Sequence, residues 1–326
     1  MRRREFIAGL AGTAVSPLVA RGQEPGRVYR VGFLIPTPRN RPPVVALFDE
    51  LRLNGFAENQ NLEVLPGGFE VRDEQVVQLA AALVKAAPDA IVAGPERPLR
   101  ALQSATHSVP LIGMSEDLVA EGLVASLARP GGNITGISLL SPELDGKRQD
   151  ILIEAVAGVR RIAIMVDSKV TPEYHLQALQ HAARSRGVEA SVFGVKTAED
   201  IGPAIDAAKA ANAGAVNFLA TPLFSVPGSR NNQMILERLT AVRLPAIFQW
   251  PETAEAGALL GYGPRFTDVY RQRARIVAKI LRGAKPAEIP VEQPTRFDLA
   301  INLKIARAIG NEVPANLVLR ADEVIE

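Results

Sequence analysis

The side chains best suited to chemistry in this chain are carboxylates and hydroxyls standing just beyond short apolar runs. Thr37 follows the run at 28–35, Glu96 follows 90–93 across Gly94 and Pro95, and Ser115, Glu116 and Asp117 follow 111–114. Further on, Asp167 and Ser168 follow 161–166, Thr221 follows 215–219, and Trp250 and Glu252 close the run that begins at Leu244. A carboxylate can hold an ammonium group, and a hydroxyl or the N–H groups at a helix start can hold a carboxylate. An aromatic ring can cover a cation or an apolar group. Trp250, the single tryptophan, has two roles open to it: covering a ligand, or packing between domains. Tyr262 is either a cleft wall or a hinge residue.

The same side chains make a poor catalyst. Asp117 and Glu252 could in principle work as an acid–base pair on a glycoside, but carboxylates so placed also cap helices or bind a ligand's cation. No strand is followed by G-x-G-x-x-G, and the chain contains no G-x-x-x-x-G-K-[ST] and no H-E-x-x-H. Gly113-Met114-Ser115-Glu116 lacks the second glycine of a nucleophile elbow. The absence of cysteine excludes disulfides, thiol nucleophiles, thiolate metal sites and a lipid-modified cysteine together. His107, His175 and His181 have no ligand-like spacing. Neither a metal nor a cofactor is expected; the inventory is that of a binder.

The elements that position these residues alternate. Apolar strands at 28–35, 62–69, 90–93, 111–114 and 134–139 are interleaved with helical patterns at 44–54 and 73–87, which predicts βαβ units and a parallel sheet. Pro66-Gly67-Gly68 marks the second strand as an edge or a bulge. The rhythm repeats with strands at 161–166, 190–194 and 215–219, and helices at 143–157, 172–186, 199–212 and 233–241. A helix at 266–282, an extended stretch at 286–294, a strand at 297–303 and a short helix at 304–309 follow. In open α/β sheets ligands bind beyond the carboxyl ends of the strands, which is where the residues above stand.

Two stretches match each other. Pro110, Ile112, Asp117 and Gly122 fall on Pro245, Ile247, Glu252 and Gly257, each copy reading as an apolar strand, an acidic loop and a short helix ended by glycine. A repeat this far apart predicts two similar halves, not a solenoid. Facing halves create a cleft on which all these loops converge.

The chain has 326 residues, 47% hydrophobic and 22% charged, a globular composition with room for two domains. Its net charge of +2 comes from the first residues, where Arg2, Arg3, Arg4 and Arg21 stand against Glu5 alone. Residues 1–22 read as an export signal with small residues Ala20 and Gly22 before the cleavage point. Arg3-Arg4-Glu5-Phe6-Ile7 resembles a twin-arginine motif, with ordinary secretion the alternative. Without the leader the charge is near neutral, so no nucleic-acid surface is expected. No stretch has the roughly 20 apolar residues of a membrane span, and a soluble periplasmic protein is expected.

Several segments together resemble the periplasmic substrate-binding components of ABC transporters, in the group that includes tryptophan/tyrosine-type binding proteins: GLVASLARPGGNITGIS, KRQDILIEAV, TAEAGALLGYG, FTDVYRQ, ILRGAKPAEIPVEQPTRFDLAINLKIARAIG and the closing RADEVIE. The resemblance covers nearly the whole chain. It implies a type I periplasmic-binding fold of two Rossmann-like lobes with parallel sheets, joined by a multi-segment hinge. One lobe is expected over 28–138 with about 264–287, the other over 139–263 with about 288–326. It also implies a monomer that closes on a small polar ligand, an amino acid or related carboxylate, and delivers it to a permease with a cytoplasmic ATPase; presenting the closed form to a membrane receptor is the first alternative and a two-lobed α/β enzyme the second. Asp167-Ser168 stands where relatives commonly carry Asn-Pro, and Pro95-Glu96-Arg97-Pro98 replaces a hydroxyl-rich loop.

Overall fold

The computed structural model describes residues 26–139 and 141–326. The expected export leader, and Leu140 at the first crossing, lie outside the described residues. The first part of the chain runs β1 (Tyr29–Leu34), α1 (Pro42–Leu53), β2 (Leu62–Val64), α2 (Val76–Lys85), β3 (Ala90–Ala93), α3 (Glu96–Ala105), β4 (Leu111–Ser115) and β5 (Ile134–Ser138). Its five strands are all parallel, in the order β2-β1-β3-β4-β5. Strand β2 is the edge that its glycines foretold, but it stops at Val64, because Pro66 has no N–H to give a ladder and Gly67 turns to φ 84°.

The second part runs α4 (Ser141–Ala155), β6 (Arg161–Asp167), α5 (Glu173–Ser185), β7 (Glu189–Val195), α6 (Ile201–Ala210), β8 (Ala215–Phe218), α7 (Pro222–Ser225), α8 (Arg230–Ala241), β9 (Ala246–Phe248), α9 (Pro251–Glu255) and β10 (Leu260–Gly263). Then come α10 (Phe266–Leu281), β11 (Asp298–Asn302), α11 (Leu303–Ile309), α12 (Ala315–Val318) and β12 (Glu323–Ile325). The second sheet has the order β12-β11-β10-β9-β8-β6-β7. It is not wholly parallel: β11 enters antiparallel to β10, with Gly263 facing Asp298. The reason is the path of the chain. Strand β10 ends where the chain leaves this sheet, and β11 begins where it returns, so the two run in opposite directions.

Strands β3, β4 and β5 are buried at every residue. A parallel sheet covered on both faces requires such unbroken apolar runs. One face of the first sheet is covered by α1 and α10, with Phe33, Leu47, Ile112, Tyr270 and Val277 in one core. The other is covered by α2 and α3, with Leu83, Ile91, Leu99 and Leu111. The second sheet likewise has one core beneath α4, α5 and α11, and one beneath α6 and α8.

Helix α10 follows β10 of the second sheet yet packs on the first. Beyond it, Ile289 and Val291 are buried in first-sheet cores, and Glu292 pairs with β5 through Glu292 N to Gly136 O (2.8 Å) and Ser138 N to Glu292 O (3.0 Å). The stretch 289–292, which the sequence placed with the second lobe, is therefore hydrogen-bonded to the first sheet. Chain passages at 139–141, at Gly263–Pro264 and between Glu292 and Asp298 connect the two sheets. No described helix is long and apolar enough to cross a membrane.

Candidate functional site

The loops singled out in the sequence leave the carboxyl ends of their strands, and hydrogen bonds cross between the lobes among them. Gln249 Nε2 donates to Glu116 Oε2 at 3.4 Å, and Arg41 Nη2 donates to the Gly228 carbonyl at 2.8 Å. Gly94, at the exit of β3, has φ 151°, and a Cβ there would lie 2.5 Å from Met114 O. The ends of β3 and β4 are thus held in close approach. At the other lobe a side chain on Gly263 would run into the Gln249 carbonyl, so the exits of β9 and β10 are held equally close.

In the first lobe, Thr37 is 5% exposed and its Oγ1 lies 3.2 Å from Tyr270 Oη. The loop after β1 is thereby tied to α10. Helix α3 begins at Glu96 with no side chain capping its N-terminus, and Glu96 itself turns back to Arg100 (2.5 Å). Ser115 is buried at the end of β4. Asp117 is occupied locally: its Oδ1 accepts from Val119 N (3.0 Å) and Ala120 N (3.1 Å). Those bonds shape a turn at 117–122 where the repeat predicted a helix; only the second copy forms one, α9. Glu121, which sequence reasoning passed over, lies in this turn. Burial pushes its carboxyl up to about 7.

In the second lobe, Asp167 is 9% exposed and accepts from Lys169 N (2.9 Å) and, at a long 3.4 Å, from Thr221 Oγ1. Thr221 Oγ1 also caps α7 by accepting from Leu223 N (3.3 Å). Ser168 is exposed beside them. Glu252 accepts from Phe266 N (2.8 Å), the first residue of α10. It therefore caps a helix belonging to the opposite lobe, and burial raises its pKa above the ordinary carboxylate range.

Two aromatic candidates take their packing roles. Trp250 is 3% exposed within the first-lobe core, with its ring centroid 4.6 Å from that of Phe266. Such a pair contributes about 0.5–1.5 kcal/mol beyond area burial. Tyr262 packs on the second-lobe core, and its carbonyl accepts from Arg148 Nη1 (3.3 Å). Trp250 thus packs across the lobes, whereas the contacts of Tyr262, a partly buried residue just before the crossing at Gly263, lie within the second lobe. An open cleft of about 670 Å³ lies elsewhere, lined by Gln180, Arg184 and 187–192 at the outer edge of β7, far from the strand ends that carry these groups.

The residues that sequence reasoning missed are Arg41, Glu121, Tyr270 and Arg273. Arg273 is fully buried on α10, and its Nη2 donates to Ala93 O (2.7 Å) and Ile112 O (3.3 Å), directly below the β3 exit. No group of acidic and histidine residues among those described is arranged to hold a metal ion.

Two lobes with their strand ends facing, joined by three passages, define the type I periplasmic-binding fold. The chain belongs to the ABC transporter substrate binding protein family, whose model matches residues 46–325. It is 23% identical, over 258 residues covering 78% of this chain and 72% of the relative, to a tyrosine-binding protein of Clostridioides difficile. Among solved structures, a conserved domain protein of Vibrio cholerae matches with TM-score 0.79 and 24% identity over 91% of this chain and 99% of that one. An ABC domain of Streptococcus pneumoniae in complex with L-Trp matches with TM-score 0.78 and 20% identity over 92% and 99%. The family is one of binding proteins.

Proposed function

We propose that this protein is the periplasmic solute-binding component of an ABC transporter. It takes an amino acid or a related carboxylate between its lobes and delivers it, by hinge closure, to a permease with a cytoplasmic ATPase. The observation that carries the reading is the convergence of polar strand-end loops from two separately cored lobes, bridged by Gln249–Glu116 and Arg41–Gly228. A ligand touching both lobes favours the closed arrangement, because only there does it gain both sets of contacts. Asp167 is the carboxylate we assign to the ligand's ammonium, since its Oδ2 has only the long bond from Thr221. Thr37 and the uncapped start of α3 face it with groups suited to an anion. The arginine-rich leader supports export by the twin-arginine route, and the protein acts as a monomer.

The test is a thermal-shift screen with the L-amino acids, small carboxylates and their amides. A ligand at 100 times its Kd stabilises the folded state by about 2.7 kcal/mol. The reading expects at least one amino acid or carboxylate to raise Tm and to be recovered chemically unchanged; its conversion to a product would replace binding with catalysis.

A further inference from the structure

Arg273 is among the largest fully buried side chains of the described residues. Its Nη2 bonds two backbone carbonyls, while Nε and Nη1 are buried with no hydrogen-bond partner. No carboxylate among the described residues forms an ion pair with it. Its guanidinium carbon lies 5.2 Å from the centroid of the Tyr270 ring. Tyr270 Oη in turn meets Thr37 Oγ1 at 3.2 Å, in the loop above β1. Ala93, one of the two carbonyls, is the last residue of β3 and leads directly into Gly94, Pro95 and the uncapped start of α3. The cation therefore sits immediately under the first-lobe floor of the crevice.

A buried cation without a counter-charge is destabilising, because the protein does not return the solvation that water supplied. Burial accordingly pushes the Arg273 guanidinium below its ordinary pKa. We infer that Arg273 is the specificity-determining charge for the ligand's carboxylate, acting from beneath the floor through Tyr270 and Thr37. The phenol, polarised by the cation at its ring, donates to Thr37 Oγ1. The Thr37 hydroxyl proton is then free for the carboxylate, beside the N–H groups of α3. Neutralisation of Arg273 is thus completed when an anion arrives, and the ligand is held with its acid end on the first lobe and its ammonium at Asp167 on the second. The inference rests on the binding function proposed above, and it adds which residue reads the acid.

The experiment compares wild type, Arg273→Met and Arg273→Lys, first without additive and then with L-tyrosine, L-tryptophan and small carboxylates, each beside its amide. Without additive, Arg273→Met is expected to melt no lower than wild type, since an apolar side chain of similar length removes an unbalanced charge. A lower Tm for the unliganded Arg273→Met protein would make Arg273 a structural tie and overturn the inference. In wild type each stabilising acid should outrank its amide. In Arg273→Met the acid should bind about 10- to 100-fold more weakly, the equivalent of one charged hydrogen bond, with the amide unchanged. Arg273→Lys should keep part of the acid preference. Equal binding of acid and amide by wild type, or of the acid by wild type and Arg273→Met, also overturns it. If nothing in the panel stabilises wild type, the solute-binding function is what fails, and the unliganded Tm comparison still decides whether Arg273 is a tie or an unbalanced charge.

Discussion

Among the described residues each lobe buries one arginine completely, Arg148 in the second and Arg273 in the first, and the two are treated in opposite ways. Arg148, on α4 beneath the second sheet, donates to Asp145 Oδ1 at 2.5 Å, and Asp145 Oδ2 lies 2.9 Å from His175 Nε2. Asn217 Nδ2 reaches the Asp145 carbonyl at 3.4 Å, and Arg148 reaches the Tyr262 carbonyl at 3.3 Å. This is a closed network joining α4, α5, β8 and the crossing strand β10. Arg273, on α10 beneath the first sheet, has carbonyls and an aromatic ring but no acid. The contrast separates a charge neutralised by the fold from one left for a ligand. It also gives the lobes different work: the second is locked internally near the hinge, and the first is charged at its floor.

The largest expected effect tests the locked side. Asp145→Ala removes the carboxylate from Arg148 and should cost about 3–5 kcal/mol of stability, the usual loss when one partner of a buried pair is removed. Urea denaturation measures it, and a joint Asp145→Leu, Arg148→Met replacement should recover most of the loss. A single substitution costing under about 1 kcal/mol would put Arg148 in the same state as Arg273 and dissolve the comparison. Arg273→Met is expected to cost no stability in the unliganded protein.

A smaller effect concerns pH. Burial keeps the Glu121 carboxyl protonated up to about 7, against about 4.5 for an unhindered one. Between those values the native state binds a proton that the unfolded chain releases. Its stability is therefore fullest below about 4.5 and falls as pH rises through 7. Glu121→Gln should shrink the drop in Tm between pH 5 and pH 8; an unchanged drop would mean that the titrating group lies elsewhere.

Much of the fold could be read from the sequence because parallel strands are buried on both faces and so appear as unbroken apolar runs. Strands β3, β4 and β5 and the loops beyond them came from that signal alone. What the loop residues do was harder to read. Glu252 and Asp117 stand at matched places in a repeat, and a carboxylate there can hold a ligand or cap a helix with the same chemistry. Only the position of α10 across the lobes makes Glu252 a cap. Trp250 follows a second-sheet strand, yet its ring packs on Phe266, a contact that depends on the chain crossing between them. Arg273 was more legible than its type suggests. Phe266, Tyr270, Arg273, Val277 and Ile280 fall on one face at helical spacing, and all are buried. The neighbouring Arg271 and Arg275 make the segment look like an ordinary solvated helix, and that appearance hides the one arginine on the apolar stripe.

The central claim is that two lobes close on one small molecule. The chain has no cysteine, so Val45→Cys on α1 and Tyr174→Cys on α5, both exposed, can be spin-labelled as a unique pair spanning the lobes. Their distance distribution should shorten and narrow when the compound that raises Tm most is added at saturation. A distribution unchanged by that compound would contradict closure and the function built on it.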